Sequence, residues 1–185
     1  MKKQAIFTGT HCTGKSTILS MMEASGYNVI MHNVIRDMSK NNEIDALYNN
    51  STEESQQRIF DRIMTILIDN KDEDYVSDRG LIDVVAYSIA NNLSIVPLQL
   101  KELKKFSEEN RGIVYFYFPI EFPIVEDGVR STDEGYRRRV DESIVAIADM
   151  LRIPLIRVEG NVEERYNYVK EFMAVMGKPS FNPFV

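Results

Sequence analysis

Gly9-Thr10-His11-Cys12-Thr13-Gly14-Lys15-Ser16 matches the pattern G-x-x-x-x-G-K-S, and its flanks restrict the fold more than any other feature of the chain. Ala5-Ile6-Phe7 before it reads as a strand. Ser16 to Ala24 after it, with Ile18, Leu19, Met21 and Met22, reads as a helix ending near Gly26. A strand that breaks into a glycine loop and restarts as a helix turns successive backbone N–H groups around one point. The helix N-terminus adds partial positive charge there. Gly9, Thr10, His11, Cys12, Thr13, Gly14, Lys15, Ser16 and Thr17 are therefore expected to bind a nucleoside triphosphate. Lys15 reaches the β- and γ-phosphates and the Ser16 hydroxyl ligates Mg²⁺.

The rest of the chain alternates in kind. Tyr27 to Met31, Asp74 to Ser77, Ile113 to Phe118 and Leu155 to Val158 read as further strands. The unbroken apolar run at 113–118 suits a strand covered on both faces. Between them, Ser51-Thr52-Glu53-Glu54 and Ser131 to Glu134 have the form of capping boxes. The first opens a helix running to about Asn70, the second a helix running to Leu151. Further helices are expected at Leu81 to Ala90, Pro97 to Glu109 and Asn161 to Met176. The expected fold is α/β, with a parallel five-stranded sheet between helices on both faces, its strand order open. The 185 residues fit one domain, and no repeat or linker divides them.

Composition narrows the function. The formal net charge of -6 argues against a coat of nucleic acid, which demands a basic surface. The acid excess is local, since residues 43–78 hold ten acids against three bases while residues 130–139 hold four bases against two acids. A focused site for an anion is untouched by it. Cys12 is the one cysteine, which rules out an internal disulfide framework and a multi-thiolate zinc site. A thiol near a helix N-terminus can be reactive, but variable positions of such a loop mainly contribute backbone, and that reading is preferred for Cys12 and His11. No run approaches the roughly 20 apolar residues that span a bilayer, and no signal peptide opens the chain. The protein reads as soluble and cytoplasmic, without a membrane role.

A second acid-base constellation follows the third strand. Asp78 stands where the carboxyl ends of parallel strands open on the ligand crevice. It can help to hold Mg²⁺ or accept a proton from an attacking hydroxyl, and Arg79 can present a planar fork to a phosphate. Arg36, after the second strand, reads equally by composition as a surface helix arginine. Tyr48, Tyr87 and Tyr115 could stack on a base but equally suit the edge of a core.

Taken together, the phosphate loop, Asp78-Arg79 and the arginine segment Arg130 to Arg139 resemble the small P-loop kinases, that is, thymidylate kinases, deoxynucleoside kinases and their relatives. Asp78-Arg79-Gly80-Leu81-Ile82-Asp83 with Ala86-Tyr87 also resembles small phage and bacterial nucleotide-kinase-like ATPases. The resemblance implies a P-loop NTPase fold over nearly the whole chain and transfer of the γ-phosphate of Mg-ATP to a nucleoside, nucleoside monophosphate or similar small acceptor. It makes Arg36, Arg79 and Asp83 acceptor contacts and leaves room for a homodimer. It also implies a lid over about residues 119–139, whose arginines close over the triphosphate, Arg130 first, then Arg137, then Arg138. Helical phase turns Arg137 toward the core and Arg138 and Arg139 away from it. Many relatives place an acid just after the second strand, where this chain has His32 and Asn33.

Two other functions would use the same motifs. A polynucleotide kinase would use the same parts with a basic groove, against which the acid excess counts. A regulatory P-loop ATPase would transfer nothing. Asn70-Lys71-Asp72-Glu73-Asp74 has the wrong spacing and place for guanine specificity.

Overall fold

A computed structural model describes residues 2–31, 34–41, 44, 52–124 and 132–176. Strands β1 (Gln4–Thr8), β2 (Val29–Ile30), β3 (Tyr75–Asp78), β4 (Val114–Tyr117) and β5 (Leu155–Arg157) form one sheet in the order β2-β3-β1-β4-β5, every pair parallel. Helices α1 (Lys15–Ala24), α2 (Val34–Lys40), α3 (Glu53–Asp69), α4 (Leu81–Ala90), α5 (Val96–Glu109), α6 (Glu134–Leu151) and α7 (Val162–Val175) connect them.

The period of two along each strand divides the core. Ala5, Phe7, Val76, Val114 and Phe116 face α1 and α7, together with Leu19, Met22, Val169 and Met173. Ile6, Tyr75, Tyr115 and Tyr117 face the other way, onto α3 to α6, where Ile63, Leu103, Val140 and Ile144 are buried. This is the three-layer α/β sandwich that the alternating pattern implied. Phe7 and Phe116 meet edge to face with ring centroids 5.7 Å apart. Such a contact contributes about 0.5–1.5 kcal/mol beyond area burial.

Because β1 is central, with β2 and β3 to one side and β4 and β5 to the other, the loop after β1 sits at the point where strand order reverses. The register aligns Phe7 with Asp78 and Thr8 with Tyr117. The ends of β3 and β4 therefore flank the start of the phosphate loop.

Several boundaries differ from expectation. The cap of α3 is Thr52, whose hydroxyl accepts from Ser55 N at 3.1 Å, one residue later than the Ser51 pattern suggests. The cap of α6 is Asp133, whose carboxylate takes both Gly135 N (2.8 Å) and Tyr136 N (3.1 Å). A carboxylate that serves two orphan donors displaces the start expected at Ser131. β2 shrinks to Val29–Ile30 at the sheet edge, and Met31 beyond it takes a left-handed φ of 63°. The short α2, in which Met38 is the buried residue, has too little apolar periodicity to announce itself. Among the described residues no helix is long and apolar enough to cross a membrane.

Candidate active site

The phosphate loop leaves β1 at Thr8 and enters α1 at Lys15. Gly9 has a φ of 141°, and a Cβ there would lie 2.5 Å from the Phe118 carbonyl oxygen, so both conformation and space demand glycine. Gly14, with φ 85°, is the N-cap residue of α1 and leaves no side chain between the helix end and the cleft. Lys15 is 5% exposed. Its ammonium donates to Gly9 O (2.7 Å), Thr10 O (2.6 Å) and Thr13 Oγ1 (3.0 Å), so the cation is held across the mouth of the loop. His11 is buried, its Nδ1 3.3 Å from the Tyr87 hydroxyl.

The loop forms one wall of a cleft of about 380 Å³. Cys12, Ser16 and Thr17 line it beside Lys15. Asp78 and Arg79 at the end of β3, and Arg36 from α2, line the same cleft. The fold thus gathers four of the sequence-predicted groups from three separate segments. Phe122, Pro123 and Val162 give the cleft an apolar flank.

Arg79 occupies an unusual place. Its φ is 79°, a region that side chains other than glycine seldom adopt. The conformation is held by Arg79 N donating to Phe7 O at 3.0 Å and by Ser77 Oγ donating to Arg79 O at 2.7 Å. Its guanidinium lies 5.4 Å from the Tyr87 ring centroid and 3.7 Å from Asp83 Oδ1. Tyr87 and Tyr115 belong to the core, with 4% and 5% exposure.

Asp83, expected among the acceptor contacts, is buried and is not among the residues lining this cleft. It accepts from Gly9 N (3.1 Å) and Gly80 N (2.9 Å), tying the phosphate loop to the start of α4. Burial pushes its carboxyl up, and the charges of Arg79 and Lys15 and the two N–H donors oppose that. A helix acid at N3 capping its own turn would serve this purpose in any sequence, which is why the pattern alone could not separate it from a ligand contact.

The arginine segment also divides. Arg130 lies outside the described residues, as does the 125–131 part of the expected lid. Arg138 and Arg139 are exposed. Arg137 is fully buried and donates to His11 O (3.1 Å), Cys12 O (3.0 Å) and Phe122 O (2.9 Å). It is not among the residues lining the cleft and holds the loop through these carbonyls. Beside it, Asp141 accepts from the Tyr117 hydroxyl at 2.7 Å, and burial pushes its carboxyl up against the pull of that bond and of Lys15, Arg137 and Arg157.

Arg165 was missed by sequence reasoning. It is 1% exposed and donates to Thr13 O at 2.7 Å. A signal existed: it precedes Val169 and Met173 by four and eight residues, on the buried stripe of α7, where a charged residue is out of place.

The family model described as AAA domain matches residues 4–165. The chain belongs to this AAA domain family. No curated protein matches it by sequence. Among solved structures, this AAA domain superimposes on a NadR protein in complex with NAD and AMP-PNP with a TM-score of 0.70 and 12% identity. That match covers 98% of this chain but 51% of the other, so the chain spans about half the length of NadR. Deoxyadenosine kinase from M. mycoides, with dCMP and dCDP bound, gives a TM-score of 0.64 at 14% identity, covering 92% of this chain and 98% of that one. Thymidylate kinase from Candida albicans gives 0.58 at 13%, covering 94% and 91%. At such identities the likeness is one of fold: the AAA domain here has the fold of the small P-loop kinases.

Proposed function

We propose that this protein is a phosphotransferase that moves the γ-phosphate of Mg-ATP to a nucleoside, a nucleoside monophosphate or a similar small acceptor. One observation carries the reading: the phosphate loop and the group Arg36, Asp78 and Arg79 line a single cleft. A site for the nucleotide alone accounts for the loop and Asp78, whereas Arg36 and Arg79 beside them suit an anionic acceptor. The kinase structures that share the fold support the reading without naming the acceptor.

The N–H groups of the loop and Lys15 cradle the β- and γ-phosphates, and the apolar flank at Phe122, Pro123 and Val162 takes the base. The donors present suit Mg²⁺, since the Ser16 hydroxyl and the Asp78 carboxylate are hard oxygen ligands on the same cleft. When bound, the ion would neutralise charge on the phosphate oxygens. Arg36 holds the acceptor, and Arg79, which lines the same cleft, contacts the transferred group. The acceptor oxygen forms a bond to the γ-phosphorus as the bond to the bridging oxygen breaks, and ADP leaves with that electron pair. Where the acceptor is a hydroxyl, Asp78 takes its proton; where it is already a phosphate, Asp78 would serve only to help hold Mg²⁺. Arg79 and Arg130 stabilise charge spread over the equatorial oxygens, and Arg137 does so by holding the loop. Holding both substrates in line supplies much of the rate.

The test is to incubate the protein with Mg-ATP labelled on the γ-phosphate, a nucleoside and nucleotide panel, and single- and double-stranded DNA. Label on a free nucleoside or nucleotide supports the proposal. Label on polymer alone moves the acceptor to DNA, and label solely in inorganic phosphate sinks transfer altogether. Asp78→Asn should lower turnover by about 10²-fold or more while leaving ATP affinity within a few-fold. Unchanged turnover would remove Asp78 from the mechanism.

A further inference from the structure

Five successive carbonyls of the phosphate loop are each held by a cation. Lys15 takes Gly9 O and Thr10 O, Arg137 takes His11 O and Cys12 O, and Arg165 takes Thr13 O. A trans peptide unit sets its N–H opposite its C=O. Carbonyls of residues 11–13 drawn outward therefore turn the N–H groups of Cys12, Thr13 and Gly14 toward the cleft. The first two of these cations belong to motifs that sequence reading singles out; Arg165 belongs to none.

Arg165 is also joined to more than the loop. Its Nη2 pairs with Glu121, and the same Glu121 oxygen accepts from Gly160 N at 3.2 Å. Its guanidinium lies 4.7 Å from the Phe122 ring centroid and 5.9 Å from that of Phe118. Phe122 in turn lies over Gly14, where a Cβ would meet its ring at 3.3 Å. The phosphate loop, the segment leaving β4 and the turn before α7 thus converge on one buried guanidinium. An apolar side chain would fill this space without the cost of burying a charge, so packing does not account for an arginine here. Its rigid fork serves a carbonyl and a carboxylate together, which an ammonium does less well.

We propose that Arg165 is a positioning residue for the phosphate loop, holding its N–H groups in the arrangement that receives a nucleoside triphosphate and binding the 118–122 segment to that arrangement. This rests on the nucleotide-binding reading above. The experiment compares wild type, Arg165→Met and Arg165→Lys by Mg-ATP calorimetry, by thermal melting, and by hydrogen exchange of the peptide spanning residues 9–16 without nucleotide. Arg165→Met should fold, exchange faster across the loop and bind Mg-ATP about tenfold or more weakly, with Arg165→Lys restoring part of the loss. A folded Arg165→Met with wild-type affinity and wild-type loop exchange overturns the proposal, even if its melting temperature falls. If Arg165→Met does not fold, Arg165→Lys decides alone: faster loop exchange with weaker binding upholds the assignment, and wild-type values for both overturn it. A wild-type protein that binds no Mg-ATP would sink the nucleotide reading itself. The loop exchange would still report whether Arg165 holds the loop.

Discussion

At the scale of single residues, the site is built from groups whose surroundings would be costly anywhere else. Gly9 exists because the Phe118 carbonyl passes where a Cβ would stand, and Arg79 keeps a left-handed backbone that its neighbours enforce. Asp141 is a further case, a carboxyl raised by burial near three cations. Its folded pKa lies above the ordinary 3.8, so its contribution to stability is fully present below that value and is lost as pH rises through the folded one. Asp141→Asn removes the titration. The stability of wild type relative to this variant should therefore be greatest at acid pH and decline toward neutrality, as read from urea melts at a series of pH values. A difference that grows with pH would reverse the assignment.

At the scale of elements, helix starts aim the cations. α6 is capped by Asp133, and Arg137 lies in the turn that this cap stabilises, so the cap also sets the direction of the guanidinium behind the loop. Asp133→Ala should cost about 1 kcal/mol of stability in denaturant melts. It should also weaken Mg-ATP binding a few-fold by fraying the turn that carries Arg137. An equal loss of stability with untouched binding would separate the cap from the site. The sheet register acts likewise at the other wall. Phe7 opposite Asp78 brings the acid beside the loop, and a slip of one residue would turn it onto the other face.

At the scale of the molecule, the negative total charge and the anion site coexist because they occupy different regions. The ten acids of residues 43–78 fall mainly on α3 and the approach to β3, while Lys15, Arg36 and Arg79 line the cleft and Arg137 and Arg165 stand behind the loop. A ligand that binds the folded chain alone stabilises it by about 2.7 kcal/mol at 100 times its Kd. Mg-ATP at that excess should raise the melting temperature by roughly 5–10 °C for a chain of this size. Lys15→Ala should abolish most of the shift. An unmoved melting curve in wild type would count against the cleft as a nucleotide site.

The order of strands and helices apart from α2, the sandwich class and the phosphate loop were legible in the amino-acid sequence by itself, because each is written in spacings of a few residues: period two, period 3.6, and glycines where a turn must bend. Cap positions slipped by one or two residues because Ser51, Thr52, Ser131 and Asp133 all have capping side chains, and only the three-dimensional start of the helix selects among them. The strand order, the burial of Asp83 as a clamp on Gly9 and the turning of Arg137 behind the loop were decided by tertiary structure. So was the contact of Arg165 with Thr13, between residues 152 positions apart. No local spacing encodes such a pair. The sheet brings it together when α7 packs beside α1, and the energy of a buried charge then requires that the guanidinium find its carbonyl and its carboxylate.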